Sequence, residues 1–286
     1  MKKRNFVYLV LIAASIAVFF GYQSVTRLSE DHNAPQISVS QELLELSIQE
    51  PRTALLQGVT ANDKRDGDVT ASLVVENVRL TDSDGTADVT YAAFDRAGNV
   101  AKLNRQIRYT DYESPRFSLE APLMTPQSVA YDVLSYIGAE DQLDGNITHR
   151  IRATALSEQN VTSLGEHDIK FRVTNSLGDT AELILPLEVY MAGSYEAKVT
   201  LTDYLVYLPQ GSAFNAQNYL ESYVFGGTTV PLKNGIPENY SLRTTGTVDT
   251  KTPGVYPVSY KVTYTREGVN SVSYSGYSRL IVVVEG

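Results

Sequence analysis

Apolar and polar residues alternate along several stretches of the chain. Over residues 256–264, Tyr256, Val258, Tyr260, Val262 and Tyr264 interleave with Pro257, Ser259, Lys261 and Thr263. An apolar residue at every second position places one face of an extended strand on a core and the other in water. The same period holds at Ile169, Phe171 and Val173, set between Lys170, Arg172 and Thr174. Turn formers punctuate these runs: DSDG at 82–85, DRAGN at 95–99, NSLGD at 175–179 and TPG at 252–254. Short strands at this spacing predict an all-β chain built of β-sandwiches. One segment, QELLELSIQ at 41–49, is a candidate helix and reads equally well as a strand with its flanks.

The exception to alternation is the start. FVYLVLIAASIAVFFGY, residues 6–22, holds 17 residues without a charge, after Lys2, Lys3 and Arg4. That length is near the lower limit for a helix spanning a bilayer and exceeds the usual signal-peptide core. A single N-terminal transmembrane anchor over residues 1–29 is the first expectation, and a cleaved signal is the alternative. The run ends in bulky Phe19, Phe20 and Tyr22 with no clean small-x-small site after it, which favours the anchor. Basic residues before it and Glu30 and Asp31 after it orient the remainder to the extracytoplasmic side of the cell membrane.

The rest of the chain repeats. ANDKRDGDVT at 61–70 returns as AEDQLDGNIT at 139–148, with Asp63 and Asp141 occupying the same place. APQISV at 34–39 matches SPRFSL at 114–119, and VTYAAFDRAGN at 89–99 matches IKFRVTNSLGD at 169–179. These landmarks share an offset of about 80 residues, the signature of a tandem structural unit. A third unit keeps only the ending: SLGEHDIKFRVT at 163–174 parallels KTPGVYPVSYKVT at 251–263. Three domains are expected, at 30–113, 114–192 and 193–286.

A proline near the start of each unit, the loop DxxDGDVT, VTYAAFDRAGNVA and a closing apolar strand together resemble the bacterial immunoglobulin-like repeats of the pesticidal-crystal-protein type. Units one and two carry the pattern; the third shares TPGVYPVSYKVTY and the terminal LIVVVEG. The resemblance implies tandem immunoglobulin-like sandwiches used as a cell-surface stalk, spacer or adhesive module. It implies no defined ligand and no catalytic residue.

Composition narrows the chemistry. Hydrophobic residues at 43% and charged residues at 20% suit globular domains, and a net charge of −9 argues against a nucleic-acid partner. No cysteine is present, which removes disulfides, thiolate metal sites and a Cys nucleophile together. Calcium is the one cofactor the acidic loops suggest. Asp63, Asp66 and Asp68 of the first loop, joined by Asp95 or Asp82 from neighbouring turns, and Asp141 and Asp144 of the second, offer hard oxygen ligands. An EF-hand is excluded, because Gly67 at the sixth position would put Lys64 at the third and Leu73 at the twelfth. The competing reading is a turn, in which Asp66 and Asp144 bond nearby amides and Gly67 and Gly145 supply a positive φ.

Catalysis is not expected. Solvated turn carboxylates lack the contrasting environments that an acid/base pair needs. His32, His149 and His167 show no metal-type spacing, and no nucleophile, zinc or phosphate-loop motif occurs. Of the 19 tyrosines, 12 lie in the last hundred residues, in a chain without Trp. Tyr256, Tyr260 and Tyr264 read as core, whereas Tyr219, Tyr223, Tyr240, Tyr274 and Tyr277 are candidates for contact with a partner protein or polysaccharide. Two functional classes follow: a non-enzymatic stalk or adhesion module, or an accessory subunit of an envelope glycan synthesis or export system.

Overall fold

A computed structural model of the chain describes residues 8, 11–22, 31–127, 129, 131–156, 163–266 and 271–286. The architecture is all-β, and the chain divides into two compact units, residues 1–112 and 113–286.

In the first unit seven strands follow one another: β1 (Gln36–Val39), β2 (Leu43–Leu46), β3 (Val59–Asp63), β4 (Gly67–Asp68), β5 (Val74–Leu80), β6 (Thr86–Phe94) and β7 (Val100–Tyr109). They form a three-stranded sheet in the order β1-β3-β4 and a four-stranded sheet in the order β2-β7-β6-β5. Strand β1 runs antiparallel to β3, with Gln36 opposite Asn62, while β2 crosses to the other sheet and lies parallel to β7. The two inner faces supply the core. On β6 the alternate residues Ala87, Val89, Tyr91 and Ala93 are all buried, and Ile37, Val59 and Ala61 face them from the other sheet. The Tyr91 hydroxyl donates to the Leu55 carbonyl at 2.7 Å, which satisfies its one polar atom inside the sandwich. Segment 41–49 resolves in favour of the strand, since Leu44 and Leu46 are buried and Leu43 and Glu45 are exposed.

The second unit opens with the same plan. Strands β8 (Arg116–Leu119), β9 (Met124–Pro126), β10 (Ile137–Asp141), β11 (Gly145–Asn146), β12 (Arg152–Ala155), β13 (Gly165–Thr174) and β14 (Thr180–Tyr190) pair as β11-β10-β8 and β12-β13-β14-β9. The crossing second strand is again parallel to the last. Seven further strands complete the unit: β15 (Ala197–Leu201), β16 (Leu205–Pro209), β17 (Leu220–Phe225), β18 (Thr228–Pro231), β19 (Tyr240–Thr245), β20 (Gly254–Arg266) and β21 (Val272–Glu285). Strand β21 is long enough to serve two parallel neighbours, β15 at Ala197 opposite Gly276 and β16 from Leu205 opposite Ile281. One hydrophobic cluster runs through both groups of this unit, from Phe117 and Phe171 to Tyr260 and Leu280. Polar contacts reinforce it. Arg279, 2% exposed, pairs with Glu166 and stands 3.6 Å from Glu188, and the Phe117 amide donates to the Tyr207 hydroxyl at 3.0 Å.

The anchor expected at the N-terminus is corrected. Tyr8 and residues 11–22 are helical. No helix among the described residues is long and apolar enough to cross a membrane, so the single-pass cell-membrane placement is not upheld. Phe6, Val7, Leu9 and Val10 of the apolar run, with Lys2, Lys3 and Arg4, lie outside the described residues.

Candidate functional site

The two acidic loops occupy the same station, between the third and fourth strands of each repeat. In both, the first aspartate closes the turn. Asp63 Oδ1 accepts from the amides of Arg65 at 2.7 Å and Asp66 at 2.9 Å, and Asp141 Oδ1 accepts from Leu143 at 3.0 Å and Asp144 at 2.9 Å. Gly67 at φ 74° and Gly145 at φ 66° then reverse the chain, a conformation that a Cβ disfavours. The next apolar residue turns inward: Ile147 is fully buried and Val69 half-buried.

The second aspartates reach outward to the neighbouring hairpin rather than to their own turn. Asp66 Oδ2 accepts from the Arg96 amide at 2.8 Å. Asp144 accepts from the Ser176 amide at 2.7 Å, the Ser176 hydroxyl at 2.6 Å and Arg150 at 2.6 Å. Burial pushes the Asp144 carboxyl up, but the Ser176 and Arg150 bonds more than offset it, so the group sits below the ordinary carboxylate value. Asp68 is bonded to the hydroxyl and amide of Thr70, which holds its carboxyl low, and Asp82 is engaged by the Ser83 amide. Of the residues considered as calcium ligands, Asp66, Asp68, Asp82 and Asp144 are therefore committed to turn and loop bonds.

The first aspartates differ between copies in their second oxygen. Asp141 Oδ2 accepts from the Asn175 side-chain amide at 2.9 Å. Asp63 Oδ2 is buried without a donor, and the residue in the place of Asn175 is Asp95. Asp31, just ahead of β1, brings a third carboxylate, and ligand oxygens of Asp31, Asp63 and Asp95 all lie within 4.8 Å of one another. Asn99 binds this end together: its amide N–H donates to Asp95 Oδ1 at 2.7 Å, and its side chain donates to Asp95 Oδ2 at 2.7 Å and to the Asp31 carbonyl at 2.9 Å. Burial raises the Asp95 pKa, but the hydrogen bonds of Asn99, Gly98 and Ala97 outweigh it and hold the carboxyl low. Sequence reasoning passed over Asp31 because it stands in a linker with no local motif. Laying the repeats over each other at the 80-residue offset pairs Asp31 with Asp111 and Asp95 with Asn175, and that contrast was available.

The tyrosines separate into interior and half-exposed groups. Tyr223 is 1% exposed and its hydroxyl donates to the Tyr274 carbonyl at 3.0 Å, so its ring belongs to the core. Tyr277 stacks on Tyr195 at 4.8 Å, its hydroxyl bonded to Glu188 and Ser259, and burial pushes its pKa up to about 12. Tyr219 packs half-buried against Phe214 at 5.8 Å. Tyr240 and Tyr274 come together with Tyr264, which was read as core and proves half-buried. The three stand directly opposite one another across β19, β20 and β21, with ring centroids 4.9 and 6.5 Å apart, and Phe225 extends the row 4.2 Å beyond Tyr274. His167 is buried on β13, its Nε2 donating to the Ser163 carbonyl at 2.7 Å.

Comparison with family models gives no match, and comparison with curated proteins gives none. Among solved structures, the CBM51-2 and INT domains of Clostridium perfringens ZmpB in complex with GlcNAc are 16% identical over 87% of this chain and 41% of that one, with a TM-score of 0.23. The protocadherin gamma B4 extracellular domain is 11% identical over 88% and 50% of the two chains, with a TM-score of 0.21. Mouse protocadherin-24 EC1-3 is 9% identical over 89% of this chain and all of that one, with a TM-score of 0.20. The chain thus spans half or less of the first two structures.

Proposed function

We propose that this chain is a non-catalytic binding module of tandem β-sandwiches, used as a spacer or adhesive element in the manner of the bacterial immunoglobulin-like repeats that its sequence resembles. The observation carrying this reading is the row of Tyr274, Tyr264 and Tyr240 on three neighbouring strands, extended by Phe225 from β17 of the same sheet, four half-buried rings in sequence. Aligned rings on a stiff sheet give flat contact area at little cost in conformational entropy. The same flatness suits the face of a sugar ring, which keeps the accessory role in a glycan system as the second reading.

Binding of the full chain to a panel of soluble polysaccharides and to immobilised matrix proteins tests this, with the Tyr264→Ala and Tyr274→Ala double variant as control. Retention of one class of probe by the parent chain, lost in a variant that still melts cooperatively, supports the module and identifies which reading applies. Retention that the double variant preserves would place the contact surface elsewhere.

A further inference from the structure

The end of the first sandwich that carries the 61–70 loop has an electrostatic imbalance that its twin lacks. Asp63 is 2% exposed and Asp95 9% exposed. Asp63 Oδ2 and Asp31 Oδ2 are both buried without a hydrogen-bond donor. A buried carboxylate oxygen that no donor satisfies is costly, and a second and third carboxylate beside it add mutual repulsion. The oxygens stand within 4.8 Å of one another, no further apart than two ligands on opposite sides of an ion at about 2.4 Å. All three donors are hard carboxylate oxygens, the ligand type of calcium rather than of a softer metal.

The second repeat shows how the same fold closes this station without an ion. Asn175 stands where Asp95 does, with equivalent hairpin bonds: the Asn175 amide donates to the Asp179 carbonyl at 2.9 Å, and the Asp95 amide to the Asn99 carbonyl at 3.2 Å. Its side-chain amide supplies the donor that Asp141 Oδ2 needs. The counterpart of Asp31 is Asp111, whose carboxylate is taken by the Ser47 hydroxyl at 2.7 Å and the Ile48 amide at 2.8 Å. One station is closed by an amide; the other gathers three carboxylates.

We infer that the first unit binds one divalent cation of the calcium class, held by Asp31, Asp63 and Asp95. An open hollow lined by Asp31, His32, Arg65, Asp66 and Arg96 adjoins the cluster and gives the ion access from solvent. This inference stands apart from whatever the aromatic row contacts, because the two features lie on different units.

Isothermal titration of the chelator-treated full chain with calcium chloride is the test, read together with thermal unfolding. One equivalent should bind, and the melting of the first unit should rise with calcium. Asp95→Asn imitates the second repeat, so it should fold and melt at least as high as the parent in chelator. Its calcium affinity should fall by more than the about 10- to 100-fold that loss of an outer partner costs a metal site. Asp141→Asn should leave the stoichiometry at one. No heat of binding by the parent, meaning that Arg65 and Arg96 balance the cluster unaided, would overturn the inference. So would undiminished binding by a folded Asp95→Asn chain.

Discussion

The loops at 61–70 and 139–148 share a turn, a glycine of positive φ and an aspartate that ties the turn's amides, yet they handle the aspartate's remaining oxygen in opposite ways. In the second repeat that oxygen meets an amide; in the first it faces other carboxylates. A single exchange of oxygen for nitrogen on the neighbouring hairpin separates a self-sufficient hydrogen bond from an anionic cluster. Fold and local chemistry are therefore set by different residues at this station, and the chemistry can change while the turn is kept.

The most damaging way to break the comparison is Asp141→Ala, which strands two turn amides and the Asn175 side chain in a buried setting. We expect a loss of about 3 kcal/mol from the second unit in denaturant unfolding, the range for severing a buried network. A loss near zero would mean that the amides find other partners. Asn175→Asp sharpens the contrast by writing the first repeat's charge pattern into the second. At neutral pH it should destabilise by about 2 kcal/mol through a lost donor and carboxylate repulsion, and the penalty should shrink in acid as one proton comes to be shared. Gly67→Ala and Gly145→Ala should cost alike, about 1 kcal/mol each, because both residues hold positive φ in open space. Unequal costs would show that the turns are not equivalent.

The subtlest difference is in the acid limb of stability. The folded pKa of Asp144 lies below its ordinary value, so its contribution is complete above that value and is lost as pH falls through the depressed one. Asp144→Asn should flatten the stability of the second unit across that window, below about pH 4. An unchanged slope would remove Asp144 from the account of acid unfolding.

Much of the architecture was legible in the sequence because strand period and repeat offset are local or self-referential signals. Ile169, Phe171 and Val173 read as one buried face, and they are buried. The N-terminal run misled in the other direction: apolar composition alone suggested a span, whereas no helix among the described residues is long and apolar enough for one. Tyr223 was offered as a contact residue because no alternation marks its segment as a strand, whereas it lies on β17 with its ring in the core; Tyr264, read as core, is half-buried and packs against that core. The carboxylate cluster was half visible. Asp63 announced itself in the motif and Asp95 was named beside it from the neighbouring turn, but Asp31, 32 residues ahead of Asp63, carries no local motif, and only the fold brings it to the other two.

Asn99 also has a mechanical meaning. Its side chain grips the Asp31 carbonyl at 2.9 Å and that of Asn33 at 3.2 Å, just ahead of the first rung of the β1–β3 ladder at Gln36. In the second repeat the corresponding residue is Asp179, whose Oδ1 accepts from the Thr180 amide at 2.8 Å. A pull on the chain ahead of β1 would otherwise peel this strand from its end, one rung after another. With the clasp in place the force meets these two bonds before the first rung is loaded, and the entry to the first sandwich becomes its reinforced hem.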